Sequence, residues 1–585
     1  MRSHWRVIAL ILGLALAVGM TSRLSDEAAT GAAALVSVLV VALGLLWRGL
    51  QAYSPNPAPL EFFGASAKMS AITTLESLGS SWIMLGNVVV AGMILGEVFG
   101  VWTVWMVFTW FLAFILMSGR VSKIREELKP TDTLHSFLHR SYRSIWMRKI
   151  AALVTLTVGI GVFSIELIAG MALLVAILPA SHAHVIAAML IFLLIVSMCV
   201  AGSAGGLRAV IETDSMLWPV VITGVGMMVV FSATQFFTQL PAGAHVALVP
   251  SGLDRNGVLA FLIGVGFLQV PLLLADYGTW QRVKATRRGD SLNLAKYTFY
   301  QAFWQAALWA IPAAAGMILA AIPAVAEEKG GALYNSSFPL IEDVAQWLRA
   351  STIALPFRVA AIFVFSTGML AVMASTANSY LIIAMETWVR DLNPDQGTEW
   401  LGDFEMDHPI QRSPAHYVGD SVDAELQAML TPSSSSRVVP VEDHMDRRSV
   451  ARARKLSFLI AFLACLPIVL LVSSGINLMG IIVIVFSIQV ALAPASALAI
   501  YAKDASQAIA GVVALSTISA MAVAIAFGLW SSYGGSEWWA NYGVYLTSAV
   551  ALGLPTSVIC IALIARGYGI GTARGFLSKL LWPWG

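Results

Sequence analysis

Long uninterrupted apolar runs are the feature that most constrains how this chain can fold. The chain has 585 residues, of which 58% are hydrophobic and only 12% charged, and many apolar runs reach 18 residues or more. A run of that length can cross the roughly 30 Å hydrocarbon core of a bilayer as a helix. Because lipid offers the backbone no hydrogen-bond partners and the runs lack barrel-type alternation, they can only be helices. We therefore predict an all-α, polytopic membrane protein.

About fourteen transmembrane helices are predicted. The candidate spans are residues 5–22, 30–50, 70–96, 99–118, 148–178, 184–203, 208–236, 257–280, 297–324, 355–388, 456–473, 476–501, 508–531 and 545–566. Arg2 and Arg6 lie at the start of the first of them, so a cleaved signal peptide is the alternative to a membrane anchor.

The distribution of Lys and Arg predicts the orientation of these spans. The loop 119–149 holds eight basic residues and 281–296 holds five, whereas 237–256 and 324–352 are poor in them. Basic residues near helix ends stay on the cytoplasmic side. We expect a multi-pass protein of the plasma or inner membrane with cytoplasmic termini, provided that the first run is a span.

One polar segment, residues 391–455, interrupts the spans on the predicted cytoplasmic side. It is charged, contains the run "TPSSSSR" and has few apolar residues, which is typical of a weakly folded linker. The alternative is a docking site for a cytoplasmic partner.

Other site chemistries find little support in the sequence. Cys199, Cys465 and Cys560 lie in apolar runs without metal-ligand spacing and are expected to be buried hydrophobes, and the nine histidines lie in loops, near the termini or at the edge of a predicted span. We predict no cofactor, no metal other than a coupling ion, and no nucleic-acid partner. Nothing indicates an enzyme, because neither a nucleophile with its base nor a metal cluster lies at depth.

A cluster of hydroxyl groups lies inside the apolar span 355–388. Val372, Ser375, Thr376 and Ser379 are spaced i, i+3, i+4 and i+7 and therefore share one helix face. Small hydroxylated residues also allow membrane helices to pack closely. The functional alternative is a site for a small alkali cation, which requires neutral oxygens and a second helix to complete its shell.

Two spans carry residues that interrupt helices. Thr74–Gly92 contains Gly, Ser and Asn in mid-span, and Gly264–Pro271 ("GVGFLQVP") lies five spans later. Five spans followed by five more, entered from opposite sides, are the layout of an inverted repeat whose broken first helices meet at the midplane.

This layout divides the chain into four parts. Two peripheral helices come first and two come last, around a five-plus-five core. The predicted parts are residues 1–55, the first repeat 60–236, the second repeat 257–501 with its insertion 391–455, and the C-terminal helices and tail 508–585.

Several motifs together resemble the sodium/solute symporter family, which includes sodium/glucose and sodium/proline cotransporters. They are similar in order and spacing to that family's unwound first helix, third helix, entry to the fifth helix, sixth-helix loop and eighth helix. The segments are "SLGSSWIM" at 77–84, "IELIAG" at 165–170, "GGLRAVIETDSM" at 205–216, "DYGTWQRVKATR" at 276–287 and "GMLAVMASTANSYL" at 368–381.

The resemblance implies a sodium site. It places the ion between the first and eighth core helices, with an acidic residue, Asp214, near its cytoplasmic exit. The implied ligands are the carbonyls of Ser80, Ile83 and Val372 and the hydroxyls of Ser375 and Thr376. Glu212 and Tyr277 depart from the family pattern, which leaves the substrate and the exit route open.

Acidic residues within spans are functional candidates because they are costly in lipid. Most lie near predicted cytoplasmic ends, where water can solvate them: Glu76, Glu212, Asp214, Asp276 and Glu386. Glu166 is deeper; it could bond a neighbouring helix, hold a second cation or proton, or face a substrate amine. The candidates for the substrate cavity are Glu166, Asn87, Gln269, Trp304 and Gln489, for which packing roles are the alternative.

The sequence thus predicts a secondary active transporter that couples sodium to a small organic solute by alternating access. A transporter-fold solute sensor or a scaffold, signalling through 391–455, is the alternative. The absence of a nucleotide-binding Gly-rich loop agrees with a gradient-driven process. Proton coupling stays open, and the expected partners are sodium, the solute and membrane lipid.

Overall fold

A computed structural model gives the fold. It describes residues 12–16, 18–19, 24–55, 57–129, 132–179, 181–239, 249–250, 253–320, 354–392, 447–474, 478–533, 538–539 and 542–581. The predicted span 5–22 lies mostly outside these residues. So does the predicted insertion 391–455, of which only the two ends are described.

The described residues are helical, with no β-strand among them, which confirms the all-α fold. The helices of the first half are α1 (Asp26–Gln51), α2 (Pro59–Gly64), α3 (Ala71–Trp82), α4 (Ala91–Phe99), α5 (Val104–Glu127), α6 (Leu134–Tyr142), α7 (Ile145–Ile177) and α8 (Ala183–Gln239). A π-helical turn, Leu85–Val90, leads into α4.

The second half continues in the same way. Its helices are α9 (Arg255–Ala275), α10 (Tyr277–Ala285), α11 (Ser291–Ala320), α12 (Leu355–Glu386), α13 (Arg447–Ser474), α14 (Leu478–Val490), α15 (Ala493–Tyr501), α16 (Lys503–Ala508), α17 (Ala510–Tyr533), α18 (Leu546–Ala565) and α19 (Gly569–Leu581). A further π-helical turn, Thr387–Leu392, extends α12.

Nine helical stretches within the described residues are long and apolar enough to cross a membrane. One of them, Ala183–Thr234, contains the predicted span 184–203 and most of the predicted span 208–236. The chain is therefore a multi-pass membrane protein, while the total of about fourteen spans stays a prediction.

Gly206 divides the long helix α8 between those two predicted spans. Its φ is +57° and its ψ is −145°, a conformation that only glycine adopts readily. A Cβ there would lie 2.2 Å from the carbonyl oxygen of Phe62. The glycine thus lets the chain bend and lets α2 approach the bend.

The predicted interruption of the first core span is present. Helix α3 begins at the N-cap Ser70, which accepts a hydrogen bond from the amide of Thr73, and it ends at Trp82. Ile83 and Met84 are extended, with ψ angles of 99° and 137°. We call Ala71–Phe99 the first broken helix.

The second interruption lies at Asp276 rather than within Gly264–Pro271. Pro271 is inside α9, which continues to Ala275; Asp276 is extended, with ψ 113°, and α10 follows it. Gly264 has a packing role instead, because a Cβ there would lie 2.2 Å from the carbonyl oxygen of Tyr545. We call Arg255–Ala285 the second broken helix.

Backbone hydrogen bonds join the start of α3 to the end of α10, which are the ends of these helices that lie away from the breaks. The amide of Met69 donates to the carbonyl of Ala285 at 3.0 Å, and the amide of Arg287 donates to the carbonyl of Met69 at 3.0 Å. The two half-helices, each next to a break, are thus tied to each other at the predicted cytoplasmic end.

Helix α12 runs through the middle of the bundle and packs against α1, α7 and α8. All residues from Phe365 to Glu386 are buried. Its hydroxyl groups therefore face protein rather than lipid.

Candidate functional site

The break in the first broken helix lies directly against α12. The hydroxyl of Ser80 donates to Oγ of Ser375 at 2.8 Å. Oγ1 of Thr376 lies 3.2 Å from the carbonyl oxygen of Ser81 and 3.5 Å from that of Ile83. Extended backbone at the break leaves these carbonyls without helical partners, so they are available to α12. We call this group of oxygens the crossing.

Three of the five predicted ion ligands meet at the crossing: the hydroxyls of Ser375 and Thr376 and the carbonyl of Ile83. Val372 lies one turn before Thr376 on α12 and is fully buried. Ser80 contributes its hydroxyl in the described contacts, and the carbonyl of Ser81 is an addition that the sequence analysis missed. The signal was present in the sequence, because Ser77, Ser80 and Ser81 are spaced i, i+3 and i+4 and therefore share one face of α3.

Asp214, predicted near the exit of the ion, is hydrogen-bonded to the crossing. Its Oδ1 accepts a hydrogen bond from Ser375 at 2.8 Å. Its Oδ2 accepts from Ser77 at 2.8 Å and from Ser379 at 3.1 Å. The carboxylate from α8 thereby joins α3 to α12.

Arg282 of α10 neutralises this carboxylate. Its Nη2 lies 2.9 Å from Oδ2 of Asp214 and donates to Oγ of Ser379 at 2.7 Å, while Nε donates to Ser77 at 2.8 Å. Both side chains are almost completely buried. A buried ion pair needs this many hydrogen bonds to offset the loss of hydration. Sequence analysis placed Arg282 only in a loop motif.

Glu166 caps the outer half of the first broken helix. Its Oε2 accepts from the amide of Leu85 at 2.8 Å and its Oε1 from the amide of Gly86 at 3.0 Å. A carboxylate at this position satisfies free amides and interacts favourably with the positive end of the helix dipole. Of the three roles considered for Glu166, the structure shows a bond to a neighbouring helix.

Asp276 caps α10 in the corresponding place on the second broken helix. It accepts from the amide of Thr279 at 2.6 Å and from the hydroxyl of Thr279 at 2.7 Å. Nε2 of Gln489 donates to its other oxygen at 2.9 Å. In the described part of the chain, Oε1 of Gln489 has no hydrogen-bond partner.

The other substrate-cavity candidates are dispersed. Asn87 is half-buried just beyond the first break, and Gln269 is buried and accepts from Thr109 at 2.6 Å. Trp304 lies apart from them, 52% exposed on the outer surface of α11. Its neighbour Gln305, missed by the sequence analysis, points inward and donates to the carbonyl of Gly79 at 2.9 Å.

A second charged cluster closes the predicted cytoplasmic end. Glu386 is buried and accepts from Gln281 and from Arg390, the latter at 2.6 Å. Asp391 accepts from His135 at 2.8 Å and from Arg148 at 3.0 Å. The cluster fastens α6, which holds His135, to the end of α12. Glu386 is therefore not solvated, contrary to one reading of its sequence position.

The crossing is suited to holding a cation without covalent chemistry. It offers hydroxyl and carbonyl oxygens in a dry environment, with one carboxylate already compensated by a guanidinium. Ser375 donates its proton to Asp214, so the lone pairs of its oxygen are directed toward α3.

Comparisons with known proteins identify the fold. The chain is similar to a solved Na+-coupled sialic acid symporter in a substrate-bound outward-open state, with a TM-score of 0.59 and 13% identity, over 93% of this chain and 98% of the other. MhsT in complex with L-phenylalanine is also similar, with a TM-score of 0.48 and 12% identity, over 85% of this chain and 99% of the other. No protein-family model and no curated protein matches the sequence. The first similarity shows a membrane-transporter fold.

Proposed function

We propose that the protein is a sodium-coupled symporter that moves a small organic solute across the plasma or inner membrane by alternating access, with its termini in the cytoplasm. The observation that carries this proposal is the crossing, where Ser375 and Thr376 lie against the break in the first broken helix. The shared fold with a Na+-coupled symporter supports it.

Sodium is expected to bind at the crossing. The ligands would be the hydroxyls of Ser375 and Thr376 together with carbonyls of α12 and of the break, including those of Val372 and Ile83. The ion would replace the hydrogen bond between Ser80 and Ser375 and would join α3 to α12. Asp214 would hold the hydroxyl of Ser375 in the orientation that the ion requires.

The solute is expected to lie next to the two breaks, where Asn87 is half-buried and the carbonyl oxygen of Gln489 has no partner among the described residues. The positive end of the outer half-helix already holds the carboxylate of Glu166. We therefore expect polar contacts, rather than a carboxylate of the solute at this helix end, to fix the solute.

The sodium gradient supplies enough free energy for accumulation. One charge that crosses 100 mV gains about 2.3 kcal/mol. At about 1.4 kcal/mol per tenfold change in an equilibrium, the membrane potential alone supports a roughly 50-fold concentration ratio.

The test is uptake of a solute panel into proteoliposomes under sodium or potassium gradients. Flux with sodium and none with potassium supports the proposal. Binding without flux would favour a sensor, and flux driven by pH without sodium would favour proton coupling; either result would overturn sodium symport.

Ser375→Ala and Thr376→Val test the site itself. Loss of one ligand to a charged partner is expected to weaken apparent sodium affinity by about tenfold to hundredfold. Ser366→Ala is the matched control, since Ser366 is a buried serine of the same helix that bonds Ser37 at 2.8 Å, away from the break. Equal sodium affinity in all three variants would refute the assignment.

A further inference from the structure

A cleft about 540 Å³ in volume opens on the outer surface of the bundle between α3, α8 and α11. Aromatic side chains dominate its lining: Trp218, Tyr297, Tyr300, Phe303 and Trp304. Phe303 is 53% and Trp304 52% exposed. In a membrane-spanning bundle, such a surface meets lipid, and the volume is within the range of about 300–1,000 Å³ that is typical of small-molecule sites.

One charged group in this cleft lacks a cation. Glu76 is the single charged side chain in the described lining, it is half-buried, and its described partner is the neutral hydroxyl of Ser215. A half-buried carboxylate keeps only part of its hydration, so a cation bound beside it lowers the free energy of the site.

The cleft can attract both charges of a zwitterion. Glu76 favours a cation, and the surrounding aromatic faces attract an ammonium group through their π-electrons. Lys296, whose Nζ lies 5.9 Å from the ring centroid of Tyr300, adds a positive charge beside the cleft.

We propose that this cleft binds a phospholipid with an amine headgroup. Its ammonium lies against Glu76 and the aromatic rings, its phosphodiester faces Lys296, and its acyl chains follow the apolar surface of α11. The site is separate from the crossing and does not depend on the transported solute.

The lipid would also act on the first broken helix. Glu76 lies on α3, one turn before Ser80, and Tyr300 and Trp304 lie on α11. A lipid that contacts both helices therefore links α3 to α11 next to the residues of the crossing. Its binding is expected to raise the thermal stability of the protein.

The experiment compares lipids that share acyl chains but differ in headgroup. The full chain in neutral detergent is titrated with phosphatidylethanolamine or phosphatidylglycerol, and lipid binding is followed by native mass spectrometry and by thermal shift. We expect tighter binding and a larger shift with phosphatidylethanolamine. Equal binding of the two lipids, or an equal shift with the soluble glycerophosphoethanolamine, would overturn the proposal.

Variants locate the site. Glu76→Gln is expected to weaken phosphatidylethanolamine binding roughly tenfold, as the loss of a charge-assisted contact does. Trp304→Leu, at a half-exposed position where the fold is not at risk, is expected to weaken it less. Glu212→Gln is the control, because Glu212 lines a separate polar cavity about 420 Å³ in volume. Full headgroup preference in both Glu76→Gln and Trp304→Leu would refute the assignment.

Discussion

Ser375 is the residue at which the charged network and the broken helix meet. It accepts a hydrogen bond from Ser80 and donates one to Asp214. A cation that displaced the hydroxyl of Ser80 would therefore alter the hydrogen bond from Ser375 to Asp214 and, through it, the ion pair of Asp214 with Arg282 on α10. One hydroxyl connects the first broken helix, α8 and the second broken helix.

Glu166 provides a test at the same scale. Glu166→Ala removes the partner of two buried amides, those of Leu85 and Gly86, and is expected to reduce stability by about 2–3 kcal/mol. Choline acetate should restore part of the lost melting temperature in this variant, because acetate can occupy the vacated position. The measurement is a thermal melt in detergent with and without the salt.

Glu166→Gln is the matched variant, since it keeps one acceptor oxygen and should lose less stability. An unchanged melting temperature in Glu166→Ala, or an equal effect of acetate on the unmodified protein, would contradict the capping role.

The positions of the breaks and bends determine which backbone groups of each helix are free to form contacts. The first break was predictable, because glycines and serines occupy the middle of an apolar run. The second was predicted at the wrong place, because Pro271 suggested an interruption that α9 accommodates. Asp276 was the better signal, since Asp is one of the preferred residues at a helix N-cap.

The bend in α8 gives the prediction for this scale. Gly206→Ala places a Cβ on a backbone with φ +57° and 2.2 Å from a carbonyl oxygen, so we expect a loss of about 2–4 kcal/mol. Gly226→Ala is the control on the same helix, with no heavy atom within 4 Å of the added Cβ. It should be neutral or stabilising.

Denaturation midpoints in detergent would check both variants. A Gly206→Ala protein as stable as Gly226→Ala would show that the bend does not depend on glycine.

The sequence predicts the overall fold of the molecule well, but it does not predict which charged side chains pair. Hydropathy predicts the spans because each span must make its own backbone hydrogen bonds in lipid. The face of α12 that carries the hydroxyl groups follows from helical periodicity. The pairing of Asp214 with Arg282 could not be foreseen, because it joins α8 to α10 through tertiary packing. The same holds for Asp391 and His135. The division into two inverted repeats, with breaks in the first helix of each, stays a proposal.

Concerted movement of α3 and α10 is the prediction for the molecule as a whole. Spin labels at Lys68 and Asp290, introduced after the native cysteines are replaced, should keep a constant separation with and without sodium. The separation from either one to a label at Trp388 should change, because under alternating access the half-helices move against α12. Pulsed electron resonance measures both. A changing Lys68–Asp290 distance would contradict the concerted movement.

The two main-chain hydrogen bonds of Met69 also bear on ion leakage. Under the proposed sodium coupling, an ion that slipped inward without its solute would require α3 to move while α10 stayed, and that movement would break both hydrogen bonds. These bonds involve backbone atoms only, so side-chain drift at Met69 over evolution leaves them intact. The proposed ratio of ions to solute would then be protected by contacts that most side-chain substitutions do not remove.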